Sequence, residues 1–226
     1  MKRLLLAIAI AASGAAFAES FPVMGSLFTP VQAPDAGYDV KGLRLSLVYG
    51  ECQEFCGLDI GIANRTRKDF AGLAIGGGNI VDGKLYGGQV GLVNWNGNKS
   101  SSWADKSIGG QLGLFNCAYD FCGFQDGVVS VAKNRFCGWQ YSFFNFAKEV
   151  DGLQCGFWAI IGVNVAEGAL NGCQIGIVDY TRTLNGCQIG ILNYAAKIES
   201  GVQIGIVNVI DQGGFAPVMP IINGKF

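Results

Sequence analysis

GCQIGIVDYTRTLNGCQIGILNYAAKIESGVQIGIVN, residues 172–208, holds three copies of one eight-residue phrase, Gly-x-Gln-x-Gly-x-x-Asn, beginning at Gly172, Gly186 and Gly201. In the first copy Asp179 stands where the others carry Asn. Two more clear copies are GGQVGLVN at 87–94 and GGQLGLFN at 109–116, and weaker ones begin at residues 42, 57, 72, 123, 138 and 152. Eight of the ten spacings between starts are 14 or 15 residues; the exceptions are 22 and 20. A short fixed period means that one small unit is stacked many times.

Each phrase reads as a strand, because Ile and Val suit a pleated surface better than a helix. Period-two alternation in 201–208 sends Val202, Ile204, Ile206 and Asn208 one way and Gln203, Gly205 and Val207 the other. Connections such as RTRKDFA at 65–71 and YAAKIES at 194–200 allow two corners but no crossover helix. The fold class is therefore all-β, and two arrangements fit. One is a parallel β-solenoid with 14–15-residue coils. The other is an antiparallel 12-stranded outer-membrane β-barrel, with eleven repeats and a tail strand ending in Phe226.

The solenoid is favoured. Parallel stacking gives every repeat the same neighbours, whereas a meander alternates them, and no two-repeat alternation is present. Barrels also alternate short turns with long loops, while only 95–108 and 160–171 are long connections here. A solenoid stacks like on like about 4.8 Å apart. Gln89, Gln111, Gln174, Gln188 and Gln203 would then form one structural ladder, and Asn94, Asn116, Asn193 and Asn208 another. Against it stands the second face, where Val178, Leu192 and Val207 fall in a row.

Four zones follow. Residues 1–18 read as a signal peptide: Lys2 and Arg3, an apolar stretch from Leu4 to Ala12, and the cleavage pattern Ala16-Phe17-Ala18. Residues 19–41 form an extended N-terminal segment, 42–210 a repeat domain of eleven units, and 211–226 a C-terminal cap or last strand. Pro217 and Pro220 bar the tail from a central strand. Localisation is accordingly read as exported: cell surface, outer membrane or extracellular.

Without Lys2 and Arg3 the chain has 14 basic and 17 acidic residues, which gives no electrostatic footprint for nucleic acid. Histidine is absent, which excludes Ser-His-Asp and Cys-His nucleophilic sites and removes the commonest zinc ligand. No metal site and no cofactor are expected. The Gly-x-Gln-x-Gly phrase lacks the Lys-Ser/Thr ending of a phosphate loop, so its glycines serve close backbone approach.

The phrase resembles the repeat of a bacterial family of exported surface-repeat proteins related to spirochaete surface repeat lipoproteins. The likeness spans about residues 42–226: GLRLSLVYG at 42–50, CGLDIGIAN at 56–64, the Gly-x-Gln-Ile-Gly copies and the Pro-x-x-Pro-Ile-Ile-Asn close. It implies surface location and no known reaction. The chain departs from the lipoprotein members in lacking a lipidation cysteine.

Eight cysteines in an exported chain suggest disulfides. The candidates are the local pairs Cys52 with Cys56 and Cys117 with Cys122, and the stacked pair Cys173 with Cys187; a solenoid also stacks Cys122 on Cys137. The best candidate contact loop is 94–107, which carries Trp95 and Trp103. Asp59, Asp126, Asp151 and Asp179 are scattered and suggest no catalytic pair, so no catalytic residue is assigned. The expected function is a structural or interaction role at the cell envelope, without catalysis and with a surface or envelope partner of unknown identity; outer-membrane association fits the apolar second face. The alternatives are a barrel with a structural or pore role and a solenoid enzyme acting on polysaccharide.

Overall fold

A computed structural model of the protein describes residues 20–99, 102–156 and 161–225. The signal segment 1–18, residues 157–160 with Trp158, and the terminal Phe226 lie outside the described residues. The fold is an all-β parallel solenoid and not a barrel. The antiparallel alternative fails because successive repeats pair in parallel, with glycine opposite glycine.

The chain divides into two compact units, Met1–Gly113 and Leu114–Phe226. In the first, β1 (Ser20–Phe28) pairs antiparallel with the short β2 (Val31–Ala33) and parallel with β3 (Asp39–Cys52). Then β4 (Phe55–Thr66), β5 (Phe70–Val81) and β6 (Leu85–Asn96) follow in parallel register, and β7 (Ser107–Ala118) begins. The N-terminal segment is thus a paired strand laid on the first coil. In the second unit the repeats run together as two long strands, β8 (Phe121–Cys155) and β9 (Val163–Gln212). They pair in parallel with Gly152 opposite Gly172 and Gln154 opposite Gln174. The last strand, β10 (Val218–Lys225), closes the sheet antiparallel to the final coil, and Pro220 sits at a break in its register. An edge position is where a strand tolerates proline.

The phrase is not one straight strand. Gln203 and Asn208 both point inward and are buried, while Ile206 and Val207 are both exposed. Two consecutive outward residues mark a corner, and the pairing skips Ile62 at the same place. Simple alternation mispredicted the direction of Asn208 because the corner resets the phase.

Within each coil the interior has two halves. The apolar half stacks Phe55 on Phe70, ring centroids 5.3 Å apart, and Phe121 on Phe136. The other half is made of amides. Gln140 donates to Gln125 Oε1 at 2.8 Å, and Gln154, Gln174, Gln188 and Gln203 each donate to the preceding glutamine at 2.7–2.8 Å. The asparagines run the opposite way: Asn64 donates to Asn79, Asn79 to Asn94, Asn145 to Asn164 and Asn193 to Asn208. Spare amide protons go to backbone carbonyls, as from Gln188 to Tyr194 O at 3.2 Å and from Asn193 to Ile204 O at 3.0 Å. Every rung is fully buried, so each proton must find an acceptor. The glycines permit this closeness. Gly72 has φ +141°, and a Cβ there would sit 1.9 Å from Gly57 O.

A Gln174→Leu substitution removes the acceptor of Gln188 and the donor to Gln154 without changing bulk much. It is expected to cost about 1–3 kcal/mol, the penalty for orphaned buried polar groups. A urea denaturation midpoint that does not move would contradict the ladder's role.

Candidate interaction face

The interior places of the phrase are taken by Gln, Gly and Asn, so its large aliphatic residues have only the outside to occupy. In the first unit Leu45, Ile60, Ile75 and Val90 form one outward column. Leu47, Ile62 and Leu92 belong to a second, and are 65%, 62% and 60% exposed. In-register pairing sets Leu45, Ile60, Ile75 and Val90 one over another in a continuous stripe, and the second column runs beside it with a break at Gly77. The second unit repeats the pattern with Ile189, Ile191, Ile204 and Ile206. Scattered exposed aliphatics are ordinary, but contiguous stripes mark an interaction surface. The row that counted against a solenoid, Val178, Leu192 and Val207, points outward with them.

No family model matches the chain, and no curated protein or solved structure matches it. The face is therefore interpreted on its own chemistry.

Trp95 and Trp103 of the contact loop are only half exposed, and described residues around Trp103 are tied down. Trp103 opens a single 3-10 turn, Trp103–Asp105. Asn98 donates to Asp105 O at 2.5 Å, Lys84 reaches the Asp105 carboxylate at 2.5 Å, and Lys106 lies 5.1 Å from the Trp103 ring centre. Among the described tryptophans Trp139 is instead the open one, 62% exposed on β8 at the second place of its phrase. Its place in the repeat carried that signal, since the residue after the first Gly points outward.

The cysteines separate by direction. Cys173 and Cys187 form a disulfide, with Cα atoms 4.7 Å apart on successive coils. The local pairs do not. Cys52 points inward, donates to Glu54 O and receives Arg44, whereas Cys56 follows the inward Phe55 and faces solvent. Cys117 and Cys122 likewise carry separate thiols on either side of a corner. Cys122 meets its stacked partner Cys137 instead, at 2.9 Å between sulfurs. Oxidised glutathione is expected to close this second cross-link, leaving four thiols per denatured chain. Closure of a loop of this length adds about 3 kcal/mol in the chain-entropy account. A count of six thiols after oxidation would contradict it.

The four aspartates are engaged separately. Asp59 takes a bidentate contact from Arg44. Asp151 takes Asn171 at 2.8 Å and Arg135 at 2.7 Å, which outweigh its partial burial and hold it below the usual carboxylate range. Burial raises Asp126. Asp179 occupies an Asn rung, where burial, only partly opposed by Asn164, pushes its carboxyl to about 7. Among the described residues no group of three or more His, Cys, Asp or Glu side chains is placed to hold a metal ion. A depression beside Lys41, Glu54, Asp69 and Tyr86 measures ≈ 140 Å³, smaller than the roughly 300–1,000 Å³ of small-molecule sites.

Several rungs came from weak copies of the phrase: Gln125, Gln140, Gln154, Asn64, Asn79 and Asn145. Asn164 was hidden. Its phrase opens at Gly152 and resumes with Gly162-Val163-Asn164 after an insertion, so the Asn no longer falls at the expected spacing.

Proposed function

We propose that this is an exported, non-catalytic repeat protein of the cell envelope that acts by docking through its apolar sheet faces. The observation that carries the proposal is the reversal of the coil: buried amide ladders inside, aliphatic stripes outside. The amides fill one half of each coil's interior, and the aliphatic residues of the phrase are left for a partner. Export is supported by the leader-like residues 1–18 and by the Cys173–Cys187 disulfide, a bond that persists in oxidising compartments. The resemblance to exported surface-repeat proteins points the same way. The absence of histidine and the separate engagement of the four aspartates favour binding over catalysis.

Expression of the full chain in a Gram-negative host tests the export half. The expected product is a processed protein beginning at Glu19, outside the cytoplasm and with Cys173–Cys187 oxidised. An unprocessed, fully reduced chain in the cytoplasm would overturn it.

A further inference from the structure

The outward columns of the first unit contain a gap. Ile62, Gly77 and Leu92 stack in one column, and Ala63, Gly78 and Val93 in the next. Gly77 therefore lies between Ile62 and Leu92, about 10 Å apart over two strand spacings, and Gly78 lies between the small Ala63 and Val93, so the two glycines open a dent one coil wide. The fold does not ask for glycine at residue 78, where a Cβ would meet nothing within 4 Å, whereas a Cβ on Gly77 would crowd the backbone oxygen of Ile62 at 3.0 Å. Neither residue has the positive φ of the phrase-opening glycines. Glycine in a strand interior forfeits packing, and it marks either a bend, such as the corner here, or a place that another group approaches closely.

We infer that this face of the first unit binds the same face of a second copy of the chain, with a large aliphatic side chain of each copy seated in the dent of the other. The inference rests on the docking role proposed above and names its partner. Three observations favour a second copy. The face carries both knob and hole in the same stripes, so it is self-complementary, as a two-fold interface must be. Eight aliphatic residues of these columns, from Leu45 to Val93, are each 37–65% exposed, and contiguous apolar surface of this kind marks protein–protein contact. Arg65, Lys68 and Lys84 are paired with acids of the same unit, Asp82, Glu54 and Asp105. This pairing lowers the charge offered to lipid headgroups, and hydrocarbon gains nothing from a dent.

Sedimentation of the purified full-length protein in detergent-free buffer tests this. The expected result is a species of twice the chain mass that dissociates on dilution. Gly78→Phe fills the dent without touching the coil, and Ile62→Glu charges its wall. Each should weaken the dimer at least tenfold while leaving the far-UV spectrum and the melting temperature of the coil unchanged. A wild-type protein that stays monomeric at all concentrations, or a Gly78→Phe dimer as tight as wild type, would overturn the second-copy assignment. Flotation with phosphatidylcholine vesicles separates the two levels. A monomer that floats keeps the docking role and loses the copy, and a monomer that binds nothing removes both.

Discussion

Replacing Asp179 by Asn is expected to stabilise the protein strongly above neutral pH and hardly at all near pH 4. Asp179 accepts from Asn164 at 2.7 Å, as a normal rung would. Its other oxygen, Oδ2, has no partner, and the next rung, Asn193, has an unpartnered Oδ1. One proton on Asp179 supplies the missing donor for both atoms. Burial favours that proton and raises the carboxyl to about 7 from an ordinary value of 3.8. The sign follows from linkage. A carboxyl with a raised folded-state pKa contributes fully below its unfolded value, and that contribution is lost as pH rises toward the folded value. Stability therefore falls across roughly pH 4 to 7, by on the order of 4 kcal/mol for a carboxyl raised this far. The amide of the Asp179→Asn variant carries its donor at every pH. Urea melts at pH 4, 6 and 8 should show the gap between variant and wild type opening as pH rises. A gap independent of pH would contradict the protonated rung.

Asp59→Ala should be among the most damaging single changes, at about 3–5 kcal/mol, the cost of stranding a buried charge. Arg44 occupies the glutamine column of β3 and Asp59 that of β4, so an ion pair stands where later coils carry Gln on Gln. Arg44 is fully buried. Its remaining protons go to Arg65 O at 2.9 Å, Cys52 Sγ at 3.0 Å and Thr66 Oγ1 at 3.4 Å, and its guanidinium lies 5.1 Å from the Phe55 ring centre. Burial works against the Arg44 cation, but the Asp59 carboxylate more than offsets it and keeps Arg44 charged. Removal of the acid alone leaves that cation with no counter-charge. The double variant Arg44→Gln/Asp59→Gln restores the amide chemistry of the column and should come within about 1 kcal/mol of wild type, since a buried ion pair is seldom superior to a neutral replacement of similar shape. If the double variant is as unstable as Asp59→Ala, the two columns are not interchangeable and the ladder account of the interior fails there.

Other breaks in the ladders obey the same chemistry. Donors in the asparagine column point toward the C-terminus, and its first rung, Asn64, has an unpartnered Oδ1. Donors in the glutamine column point the other way, and its last rung, Gln203, has an unpartnered Oε1. Asn145 lacks a donor because Ser130, one coil earlier, is too short and bonds Ser142 at 2.7 Å instead.

The repeat made the parallel stack legible, because identical residues at a fixed spacing are useful only when each meets its own kind. Gln174 on Gln188 and Cys173 on Cys187 could both be read that way. The direction of Asn208 could not, because the corner at Ile206 and Val207 interrupts alternation and leaves no mark in composition. The local cysteine pairs misled for a related reason: nearness in sequence says nothing about which side of a corner a thiol faces. The outward face was visible only as a difficulty, a row of aliphatics with nowhere to go. Its dent at Gly77 and Gly78 was lost among the many glycines of the chain, and only ordinary φ at both and open surroundings at Gly78 distinguish them from the phrase-opening glycines.

The measurement that tests the outer face most directly is a comparison of wild type with an Ile62→Glu/Leu92→Glu variant, expressed as full chains and fractionated without detergent. The wild-type protein is predicted to be retained in an assembly or on the envelope, and the variant to be released as a soluble monomer with an unchanged β-sheet spectrum. Identical partition of the two proteins would contradict a docking role for this face.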